Sequence, residues 1–299
     1  MFENVMTLVA TPPHPPLEVQ QIQQAAESLR ALGAQVGAPV WLAPAQAVDL
    51  PFSGLLPAQA ALAAETMLAD TLVDVIAQPS AGRRKRLLIA DMDSTMIEQE
   101  CLDELADAVG LKAETAAITE RAMRGELDFA AALNERVANL KGLHVAALEA
   151  TKQRLTFMPG GRTLVQTMQA QSAPCYLVSG GFTFFTGYVA QALGFTAHRA
   201  NQLLIERDQL TGQVATPILD KNAKLAFLHE FAGAAGLTLS QTIAVGDGAN
   251  DLPMLQAAGL GVAYHAKPKV NEQAAARVRH SNLTALLFAQ GYPAADFKD

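Results

Sequence analysis

Cysteine is scarce in this chain: Cys101 and Cys175 are the only two in 299 residues. Two so far apart build neither a disulfide framework nor a zinc-ligand spacing. Both are read as packing residues of a chain kept in a reducing compartment, the cytoplasm. Long apolar runs are missing too, since no stretch reaches the roughly 18 residues that a membrane-spanning helix needs. The first residues lack the basic start of a secretory signal, so none is expected. Positive charge is in short supply, with 22 Lys and Arg against 29 Asp and Glu and a net charge of −7. That balance argues against a nucleic-acid surface, and any anionic ligand must be met by local cations. Histidine offers no metal spacing either: His144, His198, His229, His265 and His280 are scattered, and His14 falls in a loop. What is plentiful is apolar material, half of all residues, enough for a substantial core in two domains or one large domain with an insertion.

The chain is organised around Leu87-Leu88-Ile89-Ala90-Asp91-Met92-Asp93-Ser94-Thr95. Four apolar residues are too few for a helix and read as a buried strand. Asp91 and Asp93 follow it two residues apart, on one side if the extended backbone persists. Two carboxylates at the mouth of an apolar strand need a cation, a shared proton or strong hydrogen bonds.

Residues 1–80 read as a small α/β module: a strand at Val5–Ala10, a helix over about 17–32, a strand at Pro39–Leu42 and an alanine-rich helix over 57–77. A regulatory or dimerising unit, and so a homodimer, fits this pattern, and a structural appendage fits it equally. Arg83-Arg84-Lys85-Arg86 marks a linker over 78–86, a solvated boundary rather than a nucleic-acid contact. Helical patterning then fills 98–155, with helices over 98–110, 112–124, 128–140 and 144–154 broken at Gly125 and Gly142. An all-helical insertion there makes a cap over the end of the first core strand. Strands and helices alternate again from 156 to 299, with a hairpin excursion over 203–219, so that 86–97 and 156–299 form a doubly wound parallel α/β core.

Three core strands end in polar, glycine-rich turns: Asp91/Asp93, Ser179-Gly180-Gly181, and Asp247 with Asn250 and Asp251. In a doubly wound sheet such ends meet along one edge. The Ser179 turn offers a hydroxyl and backbone N–H groups at a helix start, which suits a phosphate and equally suits an ordinary capped turn. Asp247 stands among glycines where hard oxygen ligands for Mg²⁺ are supplied, though Asp247 and Asp251 also read as helix N-caps.

Taken together, Asp-Met-Asp-Ser-Thr, Ser-Gly-Gly-Phe-Thr, Lys224 and Gly-Asp-Gly-Ala-Asn-Asp resemble, in order and spacing, the four motifs of the haloacid dehalogenase superfamily. The wording is similar to that of its phosphoserine phosphatases, over about 86–290. The resemblance implies a Rossmann-like core with a helical cap and a Mg²⁺-dependent hydrolysis of O-phospho-L-serine, the last step of serine biosynthesis. It implies Asp91 as nucleophile, Asp93 as general acid and then base, and Ser179, Gly180 and Lys224 at the phosphate. Asp91, Asp247 and the Asp93 backbone carbonyl would hold the metal, with Asn250 and Asp251 completing the surroundings. In the cap it implies Glu100, Phe129 and Arg136 as the recognisers of the amino-acid part. Each also has a plain reading, as solvated helix charges and a core aromatic. Such relatives often carry ACT-like regulatory domains, but residues 1–80 supply fewer evident strands than a full ACT unit. A related phosphatase or phosphotransferase on another small ester such as phosphohomoserine, or a non-catalytic phosphometabolite sensor, are the alternatives.

Overall fold

A computed structural model describes residues 2–123 and 126–299, apart from the side chains of Glu120, Ala122, Met123 and Lys221. The helix break expected at Gly125 lies outside the described residues. Among the described residues no helix is long and apolar enough to cross a membrane.

The N-terminal module runs β1 (Asn4–Val9), α1 (Val19–Ala31), β2 (Gln35–Val36), β3 (Val40–Ala43), β4 (Ala47–Ser53), α2 (Pro57–Met67) and β5 (Asp74–Pro79). Its sheet is antiparallel in the order β2-β4-β1-β5, with β3 also on β4. This is a split β-α-β arrangement. Three strands, β2, β4 and β5, lie outside the sequence expectation. The helix expected to reach residue 77 stops at Met67, and Asp74–Pro79 pairs with β1 instead. Alanine-rich patterning carried the helix too far, whereas Val73, Val75 and Ile76 are β-branched residues that pack well in a sheet. The β4 strand was hidden by Pro51, which an interior strand rarely accepts.

The core follows with β6 (Leu87–Ala90), and the next four helices are α3 (Cys101–Ala108), α4 (Lys112–Met123), α5 (Phe129–Ala138) and α6 (Ala146–Lys152). After them come α7 (Gly161–Ala170), β7 (Cys175–Phe182), α8 (Thr183–Leu193), β8 (Ala197–Asn201), β9 (Leu203–Glu206), β10 (Gln209–Val214) and α9 (Lys221–Ala234). The chain closes with β11 (Thr242–Gly246), α10 (Leu252–Ala257), β12 (Leu260–Tyr264), α11 (Pro268–Gln273), β13 (Ala276–Val278) and α12 (Ala285–Ala289). Six strands form one parallel sheet in the order β13-β12-β11-β6-β7-β8. Both faces are covered, as a parallel sheet requires. Leu88, Ala90, Ile243 and Val245 enter one apolar cluster, while Leu87, Ile89 and Ala244 enter the other. The strand order reverses beside β6, so the ends of β6, β7 and β11 open on one crevice.

Three boundaries differ from the sequence expectation. The strand β7 runs on through Ser179, Gly180 and Gly181 to Phe182, so these residues lie in extended backbone before the helix rather than in a turn at its start. The hairpin β9–β10, expected as an excursion of the core, pairs with cap backbone: Gly142 N–H donates to the Leu210 carbonyl and Val145 N–H to that of Asp208. Nor is the basic run a solvated linker. Arg83 pairs with Asp49 of the module at 2.7 Å, Lys85 is buried and donates to the Ser240 carbonyl at 3.0 Å, and Arg84 stacks 4.0 Å over the Tyr292 ring. The module is likewise packed in, because Val9, Ala43, Ala47 and Ile76 belong to the same apolar cluster as Leu286 and Phe288.

That shared core makes a testable statement about cooperativity. Truncating Ile76→Ala removes a 1 % exposed side chain and is expected to cost about 2–5 kcal/mol. Urea unfolding followed by fluorescence and circular dichroism should shift as one transition. An early phase confined to the module would count against the shared core.

Candidate active site

The site is built from the ends of three neighbouring strands. Asp91 follows β6 directly, and its Oδ1 accepts the Met92 N–H at 2.8 Å and the Lys224 ammonium at 2.8 Å. Lys224 reaches it from the first turn of α9, whose N-cap Asp220 accepts from Asn222 and Ala223. The same ammonium donates to Asp251 Oδ1 at 2.6 Å, and Asp251 Oδ2 accepts the Gly248 N–H at 3.0 Å. All three side chains are buried. Burial and the repulsion of Asp251 push the Asp91 carboxyl well above the usual range, against the pull of Lys224. Burial by itself would lower Lys224, but Asp251 and Asp91 outweigh it and raise its affinity for the proton.

Asp93 follows Asp91 two residues on and meets the start of α3. Its Oδ1 accepts the Cys101 N–H at the start of α3 (3.1 Å), and its Oδ2 lies 3.4 Å from the Ser179 hydroxyl. Burial first, and the Glu100 carboxylate second, push Asp93 up to about 7. Asp247, after β11, is pushed up to about 6 by burial and Asp251, although Thr95 donates to its Oδ1 at 3.1 Å. Two glycines lie where a side chain would crowd its neighbours. A Cβ on Gly181 would fall 2.9 Å from Asp93 Oδ2, and one on Gly180 would meet the Phe129 ring at 3.1 Å.

A cavity of about 160 Å³ joins these groups. Asp91, Asp93, Ser179, Gly180, Asp247 and Asn250 line its core side, and Glu100, Phe129 and Arg136 its cap side. Lys224 and Asp251 stand behind Asp91 rather than on the wall, so the lysine faces carboxylates in this state. Burial lowers the Arg136 guanidinium, whose Nε is buried without a hydrogen-bond partner. Glu100 Oε1 accepts from the Ser94 hydroxyl at 2.8 Å.

Sequence reasoning missed several residues. Thr95 stood inside the first motif without a role. Lys267 lines the cavity from the loop after β12, and the rule that ligands gather at strand ends would have found it. Asn201, buried at the end of β8, donates to the Gly180 carbonyl at 2.8 Å and accepts the Leu219 N–H at 2.8 Å, tying the β7 end to the approach to α9. No local signal marked it, because both partners are distant in sequence.

Asp91, Asp247 and Asp251 bring one carboxylate oxygen each within 4.8 Å of the others. With Asp93 nearby, carboxylates outnumber the ammonium of Lys224 at this site, and the donors are all hard oxygens. This donor set and its uncompensated charge fit a divalent cation.

The raised carboxyls fix a sign for stability. A carboxyl whose folded affinity for protons exceeds its unfolded one stabilises the fold at low pH, and that stabilisation is lost as pH rises through the folded value. For Asp93 the window runs from about 4 to about 7 and for Asp247 to about 6. The thermal midpoint of metal-free protein is therefore expected to fall from pH 5 to pH 7.5, with a divalent cation flattening the slope. A midpoint rising over that interval would contradict the strained carboxylate cluster.

Residues 88–256, more than half of the chain, match the model of the haloacid dehalogenase-like hydrolases. The chain is 42% identical over 250 residues to a phosphoserine phosphatase of Streptomyces coelicolor, covering 83% of this chain and 61% of that protein. It thus spans about three-fifths of the length of that relative. It is 47% identical over 229 residues to a phosphoserine phosphatase of Polaromonas sp., covering 74% of this chain and 97% of the other. The crystal structure of a probable phosphoserine phosphatase from Vibrio cholerae superposes with a TM-score of 0.79 at 32% identity, over 98% of this chain and 88% of that one. With its motifs on the ends of β6, β7 and β11 and a helical insertion facing them, this chain belongs to the haloacid dehalogenase-like hydrolase family.

Proposed function

We propose that this chain hydrolyses O-phospho-L-serine to L-serine and inorganic phosphate, with Mg²⁺, through a phosphoryl group carried on Asp91. The observation that carries the reading is the single cavity in which Asp91 and Asp93 face a cap wall bearing Glu100, Phe129 and Arg136. The names of the relatives support the substrate.

Asp91, held through Oδ1, attacks phosphorus, and the bond from phosphorus to the serine oxygen breaks. An alkoxide leaves poorly, so the proton on Asp93 passes to that oxygen. Deprotonated Asp93 then takes a proton from water, whose oxygen attacks phosphorus and releases phosphate from Asp91. A value of about 7 for Asp93 suits both halves, since acid and base forms are each populated near neutral pH. Asp91, Asp247 and the Asp93 carbonyl would hold Mg²⁺, which would supply the positive charge that lets an anionic nucleophile meet an anionic phosphoryl group. Ser179 and the Gly180 backbone meet the phosphoryl oxygens beside Asn250. Lys224 offsets the charge of Asp91 and comes into reach of the phosphoryl group as that charge is spent in bonding.

Recognition of the amino acid rests on opposite charges at two corners of the cap. Glu100 meets the ammonium and Arg136 the carboxylate, a bidentate match in which the guanidinium regains partners for its unpaired nitrogen. Phe129, against Gly180, excludes water from the reacting centre.

Phosphate release from O-phospho-L-serine should require Mg²⁺, stop with EDTA, and fall about a thousandfold in Asp91→Asn. Arg136→Ala should raise KM for phosphoserine about tenfold or more while leaving p-nitrophenyl phosphate turnover nearly unchanged. Equal losses on both substrates would overturn the cap assignment, and binding of phosphoserine without turnover in Mg²⁺ would replace the enzyme by a sensor.

A further inference from the structure

Lys267 lines the cavity beside Gly248 and Asn250, although it belongs to none of the strand-end motifs. Its N–H donates to the Asp247 carbonyl at 3.3 Å. The loop that carries it begins at His265, whose φ of 45° lies in the left-handed region that non-glycine residues adopt only when held. Two contacts hold it. The His265 N–H donates to the Val278 carbonyl at 2.8 Å, and ring Nε2 lies 2.9 Å from the Ser281 carbonyl. A carbonyl only accepts, so Nε2 carries the proton in this contact.

The segment on the far side of that contact is fastened to the N-terminal module. Asp74, at the start of β5 and 3% exposed, accepts the N–H groups of Arg279 at 2.7 Å, His280 at 3.2 Å and Ser281 at 2.7 Å. The Ser281 hydroxyl donates to the Val9 carbonyl at 3.3 Å, and the Asn282 N–H donates to Thr11 Oγ1 at 2.8 Å. A buried carboxylate taking three consecutive backbone donors fixes the path of that backbone, since a displaced segment would leave the buried charge of Asp74 short of partners. A continuous set of hydrogen bonds thus runs from the module to the cavity: Asp74 to residues 279–281, Ser281 to His265, and the His265 loop to Lys267 and Asp247.

We infer that Asp74 is a positioning residue for the active site, acting through residues 279–281 and His265 to place Lys267 where its ammonium meets the phosphoryl end of the substrate. The inference rests on the phosphatase reading above, but not on phosphoserine as the substrate, because Lys267 stands beside Asp247 and Asn250 rather than on the cap. It gives the N-terminal module a part in catalysis that needs no effector. Arg83 to Asp49, a salt bridge across the same interface but away from residues 279–281, has no share in this set of contacts and serves as its control.

The experiment is a double-mutant cycle in the full chain on kcat/KM, read with both O-phospho-L-serine and p-nitrophenyl phosphate, with thermal midpoints alongside. Lys267→Met and Asp74→Asn are each expected to lower kcat/KM, Lys267→Met by about tenfold as a charge-assisted contact is lost. The double variant should lose no more than Lys267→Met alone, because Asp74 acts through Lys267. His265→Gln tests the middle contact with a smaller perturbation of the module, and should behave as Asp74→Asn does. Arg83→Met should lower the midpoint and leave kcat/KM within about twofold. Multiplicative losses in the double variant would overturn the inference, as would a lowered midpoint with unchanged kinetics in Asp74→Asn and His265→Gln. So would an Arg83→Met loss as large as that of Asp74→Asn. Turnover of the aryl phosphate without phosphoserine would fail the substrate reading, and the cycle would still be decided on the aryl ester.

Discussion

An ammonium buried between two buried carboxylates holds this structure's functional end together. Lys224 contacts Asp91 and Asp251 at 2.8 and 2.6 Å, in a place where any one of the three charges alone would be severely destabilising. One positive charge cannot satisfy the whole cluster, because Asp93 and Asp247 lie close by and burial pushes both upward. The protein has paid for this concentration of like charge by placing it on the most rigid part available, the ends of strands buried on both faces. The surplus is useful. On the proposed reading it would draw in a cation, keep one carboxyl protonated near neutral pH, and leave another ready to act as a nucleophile.

The parallel sheet makes the concentration feasible. β6 lies between β7 and β11, so three chain segments far apart in sequence end within reach of each other. Apolar side chains on the two faces of β6 enter separate clusters, which prevents the strand from sliding to relieve the repulsion at its end. Fine positioning then comes from single hydrogen bonds. Thr95 holds Asp247, Cys101 N–H holds Asp93, and Asn201 holds the Gly180 carbonyl.

Much of this was legible in the sequence because short buried strands ending in carboxylates or glycines are strong local signals. Asp91, Asp93, Ser179, Asp247 and Asn250 could be named from such endings, and the cavity does gather them. Glu100, Phe129 and Arg136 were named through the family likeness, since nothing local separates them from ordinary helix residues. What stayed hidden was tertiary. Asn201 and Lys267 owe their places to partners across the fold, and β5 was absorbed into a helix by the alanines before it. The basic run looked like a linker because its partners, Asp49, Ser240 and Tyr292, are remote in the chain. Charge in a loop reads as solvated until the surface that receives it is known.

Chemistry and selection are carried on different elements, and their meeting point is one glycine. The strand ends supply the reacting groups, while α3 and α5 supply Glu100, Phe129 and Arg136. The two sets touch where the Phe129 ring faces Gly180, where an added β-carbon would fall 3.1 Å from the ring and press it aside. The same glycine's carbonyl is held by Asn201, so the surface that receives the ring cannot yield. A cap that settles there removes water from a space of about 160 Å³ and strengthens every charge interaction inside it. On the proposed reading, the contact of Phe129 with Gly180 would couple closure of the cap to reactivity. A ligand that cannot satisfy Arg136 and Glu100 would then forgo the contacts that favour closure, and selection would act on the reacting state as well as on binding.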